Sequence, residues 1–357
     1  MSVRYRLLHP SEIDEGLTDA WRAIQSGNEA FASPYFCPDF TRLVAGVRDD
    51  VQVVAIENSG RPVGFFPFQR APFGMGRPVG GALSDYHGVV AESGSEWSVT
   101  DLLRAAKLSA WSFDHLVDTS GRFQPHVTAQ ATSPLIDLGA GFENYMRELG
   151  TPPSDFPRKA RKLAKDRGAL TFTFHDADDR LLERMIEWKR DQYSRTQVPD
   201  AFGVRWTGDL LRAIMARQTA EFSGVCSVLR AGDDVIAVHV GMRSRQVLHW
   251  WFPTYDRSVE KYSPGIILLF RIAEALVTTG ATVIDLGKGD AQYKRSAMNR
   301  TVELQEGCVE MSSSLLVMAL RMERAVEARV AKGGAIAPLL NLPLRMLRRI
   351  ERAKRFR

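Results

Sequence analysis

The stretch Trp250-Trp251-Phe252-Pro253-Thr254-Tyr255-Asp256, together with Tyr262-Ser263-Pro264-Gly265-Ile266-Ile267 a few residues later, decides how this chain is read. An apolar strand from Gln246 to Phe252 ends, a loop of about ten residues follows, and a helix begins with nearly every start signal in place. Ser263 suits the N-cap, where its oxygen accepts from a first-turn N–H. Pro264 suits the first helical position, where a missing N–H costs nothing. Gly265 removes a side chain where a ligand would approach the backbone, and Gly280 suits the C-terminal cap of a helix over 264–279. Free N–H groups and the positive end of the helix dipole make such a start a seat for a phosphate or pyrophosphate, although most capped helices bind nothing.

Working outward, residues 178–195 place Leu181, Leu182, Met185, Ile186 and Trp188 at helical spacing, and Thr207 to Glu221 reads as a second helix. A hairpin of Gly224–Arg230 and Val235–Met242 turns at Ala231-Gly232-Asp233-Asp234. After the helix at 264 comes a buried-looking strand, Thr282-Val283-Ile284-Asp285-Leu286. This order predicts an α/β protein of the α+β, mixed-sheet kind rather than a doubly wound dinucleotide fold. No GxGxxG follows a strand and no GxxxxGK[ST] occurs, so neither nucleotide motif is present.

An earlier unit repeats the plan. Strands are expected at Val51–Glu57 and Pro62–Arg70 around the turn Asn58-Ser59-Gly60-Arg61. A glycine-rich passage (Gly74, Gly76, Gly80, Gly81) leads to Ser84-Asp85-Tyr86-His87, and a helix is expected over Thr100–Trp111, capped by Thr100. The chain is thus divided into units 1–150 and 151–312 and a tail, 313–357. The charged segment Asp155–Gly168 carries six basic residues that would line an anion-binding side or simply face water.

The net charge of +5 belongs to the tail, where Ala331–Arg357 holds eight basic side chains against Glu351 alone. The body is therefore slightly acidic, which argues against a DNA-binding face. Leu344–Arg357 spaces Leu347, Ile350 and Ala353 as a short basic amphipathic helix, suited to an anionic membrane surface; an anionic nucleotide regulator is a weaker fit. Cys37, Cys226 and Cys308 lack any ligand or disulfide spacing, so buried thiols and no metal are expected. The N-terminus shows no signal-peptide core and no apolar run spans a bilayer, which predicts a cytoplasmic protein, peripheral at most to the inner face of the membrane.

The strand–loop–helix around Gly265 resembles the GNAT acetyltransferase superfamily, whose pattern there is Gln/Arg-x-x-Gly-x-Gly/Ala; this chain keeps the central Gly265. Closer similarity is to tandem-GNAT proteins of cellulose and exopolysaccharide biosynthesis, carried by Tyr255-Asp256, Tyr262-Ser263-Pro264-Gly265, Ile284-Asp285-Leu286-Gly287 with Gly289, and Tyr293-Lys294. The resemblance implies acetyl-CoA or another acyl-CoA as donor, held by Trp251, Phe252, Tyr262, Ser263, Pro264, Gly265, Ile266 and Lys294, and transfer to an amino sugar. It also implies Tyr293 as the acid for the departing thiolate. The amine attacks the thioester directly, and the base stays open among His239, Asp285 and Asp290. Asp85, Tyr86, His87, Tyr255 and Asp256 are the candidates for holding the acceptor. Two other readings stand beside this one: a peptidoglycan-bridge type aminoacyltransferase using charged tRNA, although no helical arm is evident, and a non-catalytic binding module.

Overall fold

The computed structural model describes residues 3–150, 155–289 and 291–311. Asp290 and the tail from 313, both singled out in the sequence, lie outside the described residues. The first half runs β1 (Val3–Leu8), α1 (Glu15–Ser26), α2 (Pro38–Ala45), β2 (Val51–Asn58), β3 (Arg61–Arg70), β4 (Met75–Arg77), β5 (Val90–Ala91), α3 (Val99–Ala105), β6 (Ala110–Leu116), β7 (Val127–Asp137) and α4 (Phe142–Leu149). The second runs α5 (Phe156–Arg167), β8 (Leu170–Thr173), α6 (Asp179–Thr196), α7 (Arg205–Ala216), β9 (Phe222–Ala231), β10 (Asp234–Ser244), β11 (Val247–Tyr255), α8 (Pro264–Leu276), β12 (Val283–Asp285), α9 (Gln292–Ala297) and β13 (Arg300–Glu310).

All these strands form one mixed sheet in the order β1-β2-β3-β4-β6-β13-β7-β12-β11-β10-β9-β8, with β5 beside β3. The centre of that order is an exchange. β7, from the first half, pairs with β12 of the second, and β13, from the end of the second, lies between β6 and β7. Each half therefore contributes a strand to the other's sheet.

Helix faces explain how the sheet is covered. α1 starts where Asp14 accepts from the Leu17 N–H and buries Leu17, Trp21 and Ile24 at helical spacing. α6 buries Leu181, Leu182, Met185 and Lys189. One core joins the halves on this face, with Trp21, Phe36 and Phe40 sharing a cluster with Leu210, Phe222 and Phe252. Across the same contact, Asp39, itself buried, accepts from Arg22 and from Arg217 in the other half, at 3.0 and 2.6 Å. The opposite face is filled by α8 and α5 over Leu229, Ile236, Leu248 and Trp250.

The strands and helices read from the 178–286 pattern are found with ends shifted by a few residues, with larger differences in two places. α7 stops at Ala216 rather than Glu221, and β11 continues to Tyr255 because β10 remains its partner that far. The helix expected over Thr100–Trp111 ends at Ala105: Lys107 turns left-handed at φ 53, and Ala110 and Trp111 pair with β4 as the start of β6. Its cap is Ser98, which accepts from the Asp101 N–H, not Thr100. The three cysteines are buried and free, and among the described residues no helix is long and apolar enough to cross a membrane.

The exchange depends on Gly307 of β13, beside which both neighbouring strands, β6 and β7, bulge by one residue. A Cβ there would stand 2.1 Å from the His126 carbonyl oxygen, a backbone atom that cannot step aside cheaply. Gly307→Ala is expected to lower stability by about 2–4 kcal/mol, a size typical of overpacked or strained core sites; chemical denaturation at constant m-value is the check.

Candidate active site at the parting of two strands

β11 and β12 are parallel neighbours over only three residue pairs, Val247–Val283, Leu248–Ile284 and His249–Asp285. Beyond His249 they part, while β11 stays bound to β10 through Tyr255. The parting starts at a bulge in β11, where Trp250 and Trp251 together stand opposite the single residue Gly241 of β10. Gly241 faces that bulge, and a Cβ there would meet the His249 carbonyl oxygen at 2.3 Å.

The open edge of β11 can be worked out group by group. The Asp256 N–H donates to the Ile236 carbonyl on the β10 side. Backbone groups alternate along a strand, so those of Thr254 and Phe252 also face β10, and those of Tyr255 and Pro253 face the gap. Proline has no N–H to strand there, which is why the edge tolerates it. The gap thus offers a row of carbonyls and the Tyr255 amide to an extended ligand.

At the mouth of the gap stands the start of α8. Ser263 occupies the N-cap position in a left-handed conformation, and its hydroxyl caps no first-turn N–H, contrary to the expectation from sequence. Instead it accepts from Lys159 of α5 at 2.8 Å. Tyr262 is buried and donates to Asp166 of α5 at 2.5 Å, so α5 is docked with its basic row beside this helix start. Pro264 is buried at the first turn. Gly265 lies over the Tyr255 ring, with 3.5 Å of room for a Cβ, and Ile266 packs at the edge of the core next to it. The Phe252 side chain turns away from the gap against Phe202, whereas Trp251 lies edge-on to Tyr35.

At the apex a polar cluster gathers residues from both halves. His249, fully buried, donates from Nε2 to Asp85 at 2.9 Å. A Cβ on Gly287 would sit 3.1 Å from Asp85 Oδ2, 3.6 Å from His249 and 3.8 Å from Lys294 Nζ, so these groups surround one point. Asp285 Oδ1 accepts from Ser133 at 2.8 Å and from the Gly287 N–H at 2.7 Å. Lys294 donates to the Gly287 and Lys288 carbonyls, and His115 is 3.7 Å from Asp85. Burial works to raise the Asp85 pKa, but the hydrogen bond from His249 and the charges of His249, His115 and Lys294 outweigh it and hold the carboxylate below its usual value. Burial lowers Lys294 against the opposing pull of Asp85 and Asp285. Lys189 of α6 is brought to about 8 by burial, with the Lys294 charge adding to the effect.

The other sequence candidates fall in three groups. Tyr293, on α9, packs with Trp250 and Ile266 beside the gap, and burial raises its hydroxyl pKa so that it stays protonated. His239 is sealed in the core, stacked on Trp250 at 4.5 Å and kept neutral by burial, with a pKa of about 3. His87 faces away from the apex and accepts from the Asp114 and His115 N–H groups. Asp256 accepts from the Ser258 N–H and so fixes the short turn Arg257–Tyr262 rather than facing the gap, while Tyr255 reaches Glu260 at 3.4 Å. His249, His115, Ser133 and Lys189 escaped the sequence reading. His249 alone carried a signal there, as a histidine inside an otherwise apolar strand.

A domain description, acetyltransferase (GNAT) domain, matches residues 155–295. Residues 155–295 form a GNAT domain. Its span takes in α5, the open edge of β11, the start of α8 and Tyr293. The likeness extends beyond that domain in solved structures. The C-terminal domain of a lysylphosphatidylglycerol synthetase from Agrobacterium fabrum is 13% identical at a TM-score of 0.54, covering 88% of this chain and 96% of that one. FemX is 11% identical at 0.54, covering 88% and 99%. At such identities the likeness is one of fold, and it takes in both halves. No curated protein matches the sequence.

Two buried neutral histidines give the site's surroundings a pH signature. His87 and His239 both have folded pKa values of about 3, depressed by burial, against an ordinary 6.5. The unfolded chain binds more protons between those limits, so their contribution is complete above about 6.5 and is lost as pH falls toward 3. Stability is expected to drop by up to about 1.4 kcal/mol per pH unit for each histidine in that window. His87→Asn should flatten the slope in denaturation curves recorded from pH 7 to 4; an unchanged slope would contradict the assignment.

Proposed function

We propose that the protein transfers an acyl group from acyl-CoA to the primary amine of an amino sugar. The fold is that of N-acyltransferases; the donor and the acceptor are the proposal. The observation that carries it is the open edge of β11 ending at the start of α8, with Lys159 drawn up to Ser263. An extended pantetheine chain pairs with an unoccupied strand edge, and its pyrophosphate takes the helix N-terminus and the neighbouring lysine. The amino-sugar acceptor is supported by the resemblance of Tyr255-Asp256, Ile284-Asp285-Leu286-Gly287 and Tyr293-Lys294 to exopolysaccharide enzymes.

In this reading the thioester lies at the apex beside Gly287. Asp85, fixed by His249, accepts a hydrogen bond from the incoming amine and orients its lone pair. The amine releases its ammonium proton to solvent through that carboxylate, and its nitrogen attacks the carbonyl carbon. The C–N bond forms, the C–S bond breaks, the Tyr293 hydroxyl protonates the departing thiolate, and the proton lost by the new amide nitrogen restores that hydroxyl.

A second reading, a charged-tRNA donor, draws on the exposed basic residues Arg158, Arg161, Lys162, Lys165 and Arg167 along α5. Calorimetry with acetyl-CoA separates the two. Gly265→Asp has steric room, so it tests charge rather than folding; it is expected to weaken acetyl-CoA at least about tenfold by placing a carboxylate at the pyrophosphate seat. Tyr293→Phe should leave that affinity intact and reduce kcat by about a hundredfold. Absence of acetyl-CoA binding at millimolar concentration, with binding of charged tRNA, would replace the first reading by the second.

A further inference from the structure

A cavity of about 630 Å³ lies on the seam between the halves, on the face of the sheet that carries Tyr86 and Asp285. Its volume is that of a small-molecule site. Val247, Val283 and Val302 form an apolar floor, and Glu29, Asp137, Arg300 and Glu303 stand around it. Arg300 is already engaged, at 3.0 Å to Glu29 and 3.3 Å to Asp137. Glu303 at the rim and Asp285 at the inner end therefore have no cation among the cavity's own lining residues.

The inner end also holds an unmet polar group. Tyr86 is 4% exposed and lines the cavity. Its hydroxyl lies beside Asp285 and Ser133 without meeting the geometry of a hydrogen bond to either. Asp285 is shared between this cavity and the apex, since its Oδ1 also accepts from the Gly287 N–H. A molecule in the cavity thus lies next to the point where Asp85, His249 and Lys294 meet, on the opposite side of Asp285 from the gap that takes the donor.

We infer that this seam cavity is the acceptor site and that it selects a cationic amine carried on a sugar-sized body. This rests on the acyltransferase reading for what happens to the amine, but the binding itself does not. Glu303, with no cation beside it in the cavity, and the Asp285 carboxylate favour a positive group, the valine floor suits the apolar face of a ring, and the buried Tyr86–Asp285 end admits the ammonium toward Asp85.

The test uses the full chain, with glucosamine and its neutral relative N-acetylglucosamine as probes, titrated by calorimetry. Two variants accompany the wild type: Glu303→Lys, which reverses the rim charge, and Ala30→Trp, which fills the mouth from an exposed position. Thermal midpoints equal to wild type establish that both fold. Glucosamine is expected to bind at least about fivefold more tightly than N-acetylglucosamine, to lose about fivefold in Glu303→Lys, and to lose measurable binding in Ala30→Trp. Acetyl-CoA affinity should be unchanged in both variants. No glucosamine binding, equal affinity for the two sugars, or wild-type affinity in the folded variants would overturn the inference. Glucosamine binding that follows the expected pattern in a protein that ignores acetyl-CoA would support the cavity and overturn the donor.

Discussion

The separation of β11 from β12 after three residue pairs is the constraint on which the rest of this molecule depends. A sheet of this size normally leaves no interior strand edge unpaired, because each unmet backbone group in a dry interior is costly. Here one edge is left open by construction. The β11 bulge opposite Gly241 redirects that strand, Pro253 removes a donor that would otherwise face the gap, and Gly287 lets the backbone turn away with φ 74. Among the described residues the opening therefore leaves the β11 edge without a strand partner, and it points at a helix start to which a lysine has been brought.

The strand exchange determines what stands at the closed end of that opening. Because β7 pairs with β12 and β13 pairs with β6, the Asp85–Tyr86 segment of the first half is held over the strands of the second. Asp85 meets His249, and Ser133 meets Asp285, across sequence separations of 164 and 152 residues. The chemistry is composite in this sense: the second half supplies the gap, and the first half supplies the carboxylate at its apex. The common core on the α1 and α6 face, with Asp39 clamped by arginines from both halves, keeps that relation rigid.

Much of this was legible in the sequence, and the parts that were not share a cause. The second half could be read because its elements are periodic and punctuated: the α6 stripe, the Gly232 turn, and the Pro264 and Gly280 boundaries of the helix region. β7 and β13 could not be anticipated. Their residues, VTAQATSPLID and RTVELQEGCVE, are polar over much of their length, and they become central strands through partners at least 146 residues away. The Ser263 cap failed for a related reason. Local signals gave its position correctly, but Lys159 from another helix captured its hydroxyl. His249 was overlooked because a histidine in an apolar strand looks like core until its carboxylate partner, set by the exchange, is known.

Hydrogen exchange of the backbone amides along residues 250–256, with and without acetyl-CoA, tests the central claim most directly. Saturating acetyl-CoA is expected to slow exchange at Tyr255, whose N–H faces the gap, and to leave Phe252 and Thr254, already bonded toward β10, unchanged. Equal exchange at Tyr255 with and without bound acetyl-CoA would contradict that claim, because the open strand edge would then not be where the donor lies.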